Sequence, residues 1–140
     1  MVCLGNICRS PLAEGIMRHL AKEQNLNWEI ASAGTGNWHI GKAPDYRSIA
    51  AAKALGYDLS QQRAQQFNYS MFNQFDLIFV MDRNNFSDVL QLAKTDDDLK
   101  KVRLFLDDSE VTDPYWDNNL FPPVCKQVEE RCKEIIKQLS

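Results

Sequence analysis

The first residues of the chain combine a cysteine and an arginine at a spacing that suits the binding of an anion. Arg9 follows Cys3 by six positions, and the residues between them include Gly5 and Asn6, which tolerate left-handed backbone angles. The next two residues, Ser10-Pro11, predict the start of a helix with the serine as its cap. We therefore expect a strand that ends at the cysteine, a helix that begins near the arginine, and a loop whose N–H groups point into one hollow.

Such a hollow at the positive end of a helix binds a tetrahedral oxyanion, and a cysteine on its floor reacts as a thiolate. The planar guanidinium of Arg9 would add a fork of hydrogen bonds to the anion. The spacing alone is not specific, because Cys125 and Arg131 repeat it. The residues between that second pair include two glutamates and no glycine, and they continue a helical pattern, so they cannot wrap an anion. From the residues alone, a strand-to-helix turn with a buried cysteine stays an alternative at Cys3.

Composition is that of an ordinary globular chain. Its 140 residues suit one domain, with 44% hydrophobic and 25% charged residues. The net charge of −3 does not indicate nucleic acid or an anionic membrane as a partner. No apolar run approaches the roughly 20 residues that span a bilayer. Four cysteines in this length do not make a disulfide scaffold, and a thiolate nucleophile needs a reducing compartment, so we predict a cytoplasmic protein.

The hydrophobic pattern alternates between strands and helices along the chain. After a first strand that closes with Val2 and Cys3, strands are predicted at 28–33, 76–81 and 102–106, and helices at 11–24, 45–55, 82–93 and 122–139. The segment 57–70 is predicted as a polar loop with a short helical turn, and 95–101 as a charged connection. This alternation predicts a parallel sheet with right-handed crossovers and a ligand site at the carboxyl ends of its strands.

Two long loops should reach that edge of the sheet. Residues 34–41 follow the second strand and carry Trp38, and residues 107–119 follow the fourth strand and carry Asp113, Tyr115 and Trp116. Aromatic side chains on such loops suit a stacked wall for a phenyl ring. The second loop also holds other candidates for a general acid, namely Asp107, Asp108, Glu110 and Asp117.

The stretch Cys3-Leu-Gly-Asn-Ile-Cys-Arg-Ser-Pro11 closely resembles the phosphate-binding loop of the low-molecular-weight protein tyrosine phosphatases. The resemblance extends, in the family's order and over nearly the whole chain, to Ser32-Ala-Gly-Thr35, Trp38-His39, Pro44-Asp45, the segment 75–82 and Asp113-Pro-Tyr115. It implies a single domain over residues 1–140 of the α/β class. That domain would have an open four-stranded parallel sheet of order 2-1-3-4, helices on both faces, and the phosphate-binding loop after the first strand.

The resemblance also implies the activity, which is hydrolysis of phosphotyrosine in proteins through a phosphocysteine intermediate. Cys3 would be the nucleophile, Arg9 would hold the phosphoryl oxygens, and Asp113 would act as general acid and then as base. The residues that would bind phosphate or support the loop are Leu4, Gly5, Asn6, Ile7, Cys8 and Ser10. The residues that would line the substrate cleft are Trp38, Tyr115 and Trp116.

A redox switch between Cys3 and Cys8 is a further expectation, because the two cysteines bracket one tight loop. Cys3 oxidised by peroxide would be captured in a disulfide by Cys8, as in members of the resembling family that have both. The resemblance implies no cofactor and no metal. It implies a phosphotyrosine protein as partner, in bacterial members often a tyrosine kinase of polysaccharide export, with inorganic phosphate as product.

Three features depart from the family pattern. Trp116 stands where tyrosine is frequent, which bears on substrate preference. Gln62 and Gln65 stand where a histidine and an arginine are frequent. Only two residues precede Cys3, where the family has several more apolar strand residues, so either upstream residues are missing or the central strand is very short.

Four alternatives stay open at this point. Thiol-dependent arsenate reduction on the same fold needs two further cysteines, and Cys125 and Cys132 are candidates, although they lie on the last predicted helix. Protein-arginine phosphatases of the same family carry threonine where this chain has Ile7. A zinc site from all four cysteines fits their number, but the spacing of Cys3 and Cys8 is loose for structural zinc. A phosphopeptide-binding module without catalysis would have lost the nucleophile or the acid.

Overall fold

The computed structural model describes residues 1–140 and contains four strands and six α-helices. In chain order the elements are β1 (Val2–Cys3), α1 (Arg9–Glu23), β2 (Ala33–Gly34), α2 (Tyr46–Ala54), α3 (Met71–Gln74), β3 (Ile78–Val80), α4 (Arg83–Leu92), α5 (Asp96–Lys101), β4 (Val102–Leu104) and α6 (Phe121–Leu139). A short 3-10 helix, Asn118–Leu120, precedes α6.

The strands form one parallel sheet of order β2-β1-β3-β4. Val2 pairs with Ala33 on one side and with Val80 on the other, and Val80 in turn pairs with Leu104. β1 therefore lies at the centre, and Cys3 leaves the sheet at its carboxyl edge. The predicted α/β class and the strand order 2-1-3-4 are confirmed.

Helices cover both faces of this sheet. Successive strand residues point to opposite faces. Cys3 and Phe79 contact a core that includes α1, α2 and α6, whereas Val2, Ile78 and Val80 contact a second core that includes α3 and α4. The first core is the larger, and its buried side chains include Leu12, Ile16, Val128 and Ile135. The prediction of helices on both faces is therefore confirmed.

The strands are shorter than predicted, most of all the second. Residues 28–32 form no strand, and β2 is limited to Ala33–Gly34. A strand exists only where it has a partner, and on this side β1 pairs only Val2 with Ala33 and Cys3 with Gly34. Met1, which precedes β1, adds two hydrogen bonds. The Met1 amino group donates to the Ala31 carbonyl at 3.0 Å, and the Ala33 N–H donates to the Met1 carbonyl at 3.0 Å. The predicted strands 76–81 and 102–106 are likewise reduced to three residues each.

The charged segment 95–101 is a helix, so its prediction as a connection is wrong. Thr95 and Asp98 form a reciprocal capping box at the start of α5. The carboxylates of its first turn and the lysines of its last turn both complement the helix dipole. The short helical turn predicted within 57–70 is absent, because the helix α3 lies just beyond that segment, at Met71–Gln74.

Helix α1 starts at Arg9 with Cys8 as its N-terminal cap, and no side chain caps it. The predicted capping role of Ser10 is therefore wrong, because its hydroxyl contacts the Cys3 sulfur instead. Helices α2 and α4 agree with prediction, and each is capped by an aspartate. Asp45 accepts the Arg47 N–H and Asp82 accepts the Asn85 N–H, both at 2.8 Å.

A cavity of about 500 Å³ opens at the other edge of the sheet, far from the carboxyl ends of the strands. Met1 and Val2 contribute to its lining, together with residues 28–33 and 76–79, and most of the lining is apolar. Cys3, Arg9 and Asp113 are not part of it. None of the helices is both long enough and apolar enough to cross a membrane.

Candidate active site

The loop between β1 and α1 wraps around the sulfur of Cys3. The Asn6 N–H donates to Cys3 Sγ at 3.3 Å, and Ser10 Oγ lies 3.0 Å from the same sulfur. Asn6 has φ of 56°, a left-handed angle that asparagine tolerates well. The left-handed turn expected at Asn6 is present, and Ser10, expected to support the loop, contacts the sulfur.

A chain of hydrogen bonds behind the loop sets the direction of the Ser10 proton. Ser32 Oγ donates to Glu14 Oε1 at 2.7 Å, and the Asn6 amide Nδ2 donates to both Ser32 Oγ (2.9 Å) and Ser10 Oγ (2.7 Å). Because Ser10 accepts from Asn6, its own proton is free to point at Cys3 Sγ. In this orientation the Ser10 hydroxyl can donate a hydrogen bond to the Cys3 sulfur.

Asn6 is fixed from its other side by Gln65. The Gln65 N–H donates to Asn6 Oδ1 at 3.0 Å, and the Gln65 side chain donates to the Ser32 carbonyl at 2.9 Å. Gln62 instead donates to the Pro11 carbonyl at 3.0 Å, in the first turn of α1. Two glutamines whose roles the sequence left open therefore support the phosphate-binding loop and the helix that follows it.

The residues after β2 pack directly against the loop. The Thr35 N–H donates to the Cys3 carbonyl at 2.9 Å, and the Gly36 N–H donates to the Leu4 carbonyl at 2.8 Å. A Cβ atom on Gly34 would lie 2.8 Å from that Leu4 oxygen and 3.1 Å from the Asn6 nitrogen. A glycine at position 34 is needed for this close approach of two backbones.

Arg9 is 3% exposed and is held at one nitrogen only. Its Nη1 donates to Asp82 Oδ2 at 2.7 Å and to the Val111 carbonyl at 3.0 Å. Burial alone would lower the pKa of Arg9, but the negative charges of Cys3, Asp82 and Asp113 outweigh it and raise the pKa. The guanidinium thus stays charged, and its Nε and Nη2 atoms donate to no protein group.

Asp82 is the functional residue that sequence reasoning missed. It lies just after β3, where it both caps α4 and binds Arg9. Its position could have been predicted from the sequence, because a carboxylate that follows a buried strand lies at the carboxyl edge of the parallel sheet, where the loop of Cys3 also lies.

Asp113 lies over the loop on the long segment between β4 and α6. Its Oδ2 is 4.0 Å from Arg9 Nη2, its Oδ1 accepts the Tyr115 N–H at 3.1 Å, and its side chain is 40% exposed. The segment is tied to the sheet just before this point, since the Val111 N–H donates to the Met81 carbonyl at 2.8 Å. Asp113 is the one carboxylate of that segment that approaches Arg9.

Aromatic side chains form an exposed rim near this carboxylate. The rings of Tyr115 and Trp116 meet edge to face, 4.8 Å apart, and Trp116 is 86% exposed. Trp38 is also exposed, and its ring covers Gly36 in the neighbouring loop. Leu4, on the phosphate-binding loop, is exposed as well. These side chains have their apolar surfaces available to a ligand.

The four cysteines are free and buried, and they differ in surroundings. Burial raises the pKa of Cys8 to about 12, and the negative charges of Asp45, Cys3 and Asp113 contribute. Cys125 and Cys132 lie in the larger core on α6, where burial raises the pKa of Cys125 to about 11 and also raises the pKa of Cys132. No group of three or more potential metal ligands comes together.

Comparison with known proteins gives consistent matches over the whole chain. The sequence model of the family described as low molecular weight phosphotyrosine protein phosphatase matches residues 1–140. The low molecular weight protein-tyrosine-phosphatase YfkJ of Bacillus subtilis is 34% identical over 146 residues, covering 99% of this chain and 93% of that protein. The crystal structure of YfkJ matches with a TM-score of 0.89.

Two further crystal structures match over nearly their whole length. A protein tyrosine phosphatase from Entamoeba histolytica, with Hepes in its active site, gives a TM-score of 0.92 at 32% identity and covers 99% of this chain and 93% of its own. Vibrio vulnificus Wzb in complex with benzylphosphonate gives a TM-score of 0.88 at 30% identity, covering 99% and 95% of the two chains.

Proposed function

The chain belongs to the low molecular weight phosphotyrosine protein phosphatase family, and from that premise we propose that Cys3, Arg9 and Asp113 carry out the hydrolysis. Its activity is that of a protein-tyrosine-phosphatase acting on phosphoproteins, as the resemblance predicted.

The first step is an in-line attack of the Cys3 thiolate on phosphorus. The new S–P bond forms as the P–O bond to the tyrosine ring breaks, and protonated Asp113 gives its proton to the departing phenolate. Arg9 and the N–H groups of the loop hold the equatorial oxygens through the transition state. In the second step Asp113 takes a proton from water as the water oxygen attacks phosphorus. The S–P bond breaks, the Cys3 thiolate is restored, and inorganic phosphate leaves.

One observation carries the assignment of the nucleophile. Cys3 alone among the cysteines has its sulfur at the floor of a loop, with an N–H donor from Asn6 and the hydroxyl of Ser10 beside it. Arg9 Nε and Nη2 donate no hydrogen bond to the protein, which leaves them available to two oxygens of a phosphoryl group. Burial raises the pKa values of Cys8 and Cys125, so they are poor nucleophiles at neutral pH.

The exposed aromatic rim supports a phosphotyrosine substrate. Trp38, Tyr115 and Trp116 would stack against a phenyl ring whose phosphate reaches Cys3, and a short phosphoserine would not fill that space. Wzb, which shares the fold, binds benzylphosphonate, a phosphonate on a benzyl group. A tyrosine kinase in the cytoplasm of a bacterium is the protein substrate we favour, with no cofactor involved.

Turnover of matched peptides tests the proposal. Phosphotyrosine, phosphoserine and phosphoarginine peptides of one sequence are compared, with arsenate reduction by thiols measured alongside. We expect turnover of phosphotyrosine alone, with no activity in Cys3→Ser although that variant still binds vanadate. Preference for phosphoarginine, or thiol-dependent arsenate reduction through Cys125 or Cys132, would replace the proposal by one of the alternatives on the same fold.

The acid is tested by the leaving group. Asp113→Asn should lower kcat/KM for phenyl phosphate by about 10²- to 10⁴-fold, the usual range for general acid catalysis. The loss should be much smaller for p-nitrophenyl phosphate, whose leaving group needs little protonation. Asp117→Asn, in the same loop, is the matched control, and a leaving-group effect there instead would assign the acid to Asp117.

A further inference from the structure

Arg47, in the first turn of α2, joins the phosphate-binding side of the site to the segment that carries Asp113. Its Nε and Nη2 atoms bind the two oxygens of Asp45 at 3.0 and 2.8 Å. Its remaining nitrogen, Nη1, donates to the Tyr115 carbonyl at 3.0 Å and to Asn118 Oδ1 at 2.7 Å. All three guanidinium nitrogens are therefore used, and the arginine bridges two segments that are far apart in sequence.

The near end of this bridge is anchored to the phosphate-binding loop. The Asp45 N–H donates to the Ile7 carbonyl at 2.8 Å, and the Asp45 carboxylate caps α2 while it binds Arg47. The hydrogen bond from Arg47 lowers the pKa of Asp45, so this carboxylate stays ionised at neutral pH. A two-pronged ion pair with one fixed partner holds the plane of the guanidinium in place.

Ring contacts fix the guanidinium further. Its central carbon lies 4.4 Å from the centre of the Phe121 ring and 5.3 Å from the centre of the Tyr115 ring. Phe121 is buried at the start of α6, so it is a rigid platform. The Arg47 side chain is 18% exposed, and its bonds to Tyr115 and Asn118 lie at the surface.

The far end of the bridge leads directly to the acid. Tyr115 gives its carbonyl to Arg47 and its N–H to Asp113 Oδ1, the latter at 3.1 Å. We propose that Arg47 is a positioning residue, which holds Tyr115 so that the carboxyl of Asp113 stays over the phosphate-binding loop. This inference rests on the proposed function and extends it, since it assigns a role to a residue that never touches the substrate.

The consequence is specific to protonation of the leaving group. Without the fork of Arg47, the 113–118 segment loses its attachment to α2, and Asp113 spends less time at the leaving oxygen. Cys3 and Arg9 keep their own contacts, so phosphate binding is unaffected. A small misplacement of a reacting group costs up to about 10²-fold in rate, so we expect a loss of about tenfold for a poor leaving group.

Arg47→Met is the principal variant, because methionine keeps an apolar stem against Phe121 but donates no hydrogen bond. We expect kcat/KM to fall by about tenfold for phenyl phosphate and by less than about twofold for p-nitrophenyl phosphate. Inhibition by inorganic phosphate should be unchanged. Arg63→Met is the matched control, since Arg63 is exposed and bonds only to the carbonyls of Ser60 and Gln62. Equal losses on both esters would overturn the inference.

A double mutant separates positioning from general damage. If Arg47 acts through Asp113, then Arg47→Met in an Asp113→Asn background should lower activity by less than about twofold, because the acid is already absent. Additive losses would contradict the inference. Asn118→Ala, which removes one contact and leaves the Asp45 pair intact, should show a smaller version of the same leaving-group effect and serves if Arg47→Met does not fold.

The same assays distinguish the two levels of proposal. Wild-type protein that turns over neither aryl phosphate would contradict the proposed function. Wild-type turnover of both, with Arg47→Met losing equally on each ester, would leave the proposed function intact and overturn only the role of Arg47.

Discussion

Arg9 Nη1 lies 2.7 Å from Asp82 Oδ2, although the two residues are 73 positions apart in the chain. The contact joins the first turn of α1 to Asp82, just after β3, and it engages Nη1, while Nε and Nη2 donate no hydrogen bond to the protein. The Val111 carbonyl adds a second acceptor on the same nitrogen. We therefore expect Asp82 to fix the orientation of Arg9 when a phosphoryl group binds.

Asp82→Asn tests this orientation. The amide can still cap α4, but it would face Arg9 with a donor where the carboxylate accepted. We expect kcat/KM to fall by up to about 100-fold for phenyl phosphate and for p-nitrophenyl phosphate alike, because binding of the oxyanion, not proton transfer, is impaired. Inhibition by inorganic phosphate should weaken in parallel. Asp88→Asn, exposed on the same helix, should change neither, and a loss confined to phenyl phosphate would contradict this role.

Some features of the site depend only on residues that are close together in the sequence. The loop around Cys3, its left-handed Asn6 and the caps Asp45 and Asp82 depend on neighbouring residues, and these were predictable locally. The capping box that makes 95–101 a helix is also local, although the charged residues of this segment predicted a connection.

The remaining differences depend on partners distant in the chain. The second strand begins late because its neighbour β1 has only two residues to pair with it, Val2 with Ala33 and Cys3 with Gly34. The Arg9–Asp82 pair and the bridge through Arg47 join segments that no spacing rule connects. Residue types alone could place Asp113 among five acids of one loop, and only the fold brings it within 4.0 Å of Arg9.

Ser32→Ala tests the hydrogen-bond chain behind the nucleophile. Without the Ser32 hydroxyl, Glu14 loses this donor and the Asn6 amide loses one of its two acceptors. The amide that donates to Ser10 is then held less firmly, and the Ser10 proton is directed less strictly at Cys3. We expect kcat/KM to fall by about tenfold and alkylation of Cys3 by iodoacetamide at pH 7 to slow. The free energy of unfolding should fall by about 1–3 kcal/mol, because the variant leaves buried polar groups without a hydrogen-bond partner. Ser87→Ala on the surface of α4 is the control.

Gly34→Ala tests the close approach of the two loops. The added Cβ would lie 2.8 Å from the Leu4 carbonyl oxygen, so the phosphate-binding loop must shift. We expect a large loss of phosphate binding and a destabilisation of about 1–3 kcal/mol, typical of overpacking. Gly56→Ala gives the contrast, since its φ is +96° but nothing lies within 4 Å of the new atom. That variant should lose about 1 kcal/mol of stability and keep its activity.

The last prediction concerns oxidation of the loop that Cys3 and Cys8 bracket. Peroxide should inactivate the enzyme by oxidising Cys3, bound phosphate should slow the loss, and a dithiol should restore activity by reducing a Cys3–Cys8 disulfide. Because burial raises the pKa of Cys8 to about 12, its thiol stays protonated at pH 7, and disulfide formation should accelerate as the pH rises to 9.

The Cys8→Ala variant decides whether this switch operates. Each protein is treated with peroxide and then with dithiol, and recovery is expressed relative to its own untreated activity. Wild type should recover, whereas Cys8→Ala should not, because its Cys3 proceeds to irreversible oxidation states. Cys125→Ala is the matched control, since that thiol lies in the core on α6 and should not alter recovery. Full recovery of Cys8→Ala, or a mapped disulfide from Cys3 to Cys125, would contradict the switch, and the latter would favour arsenate chemistry.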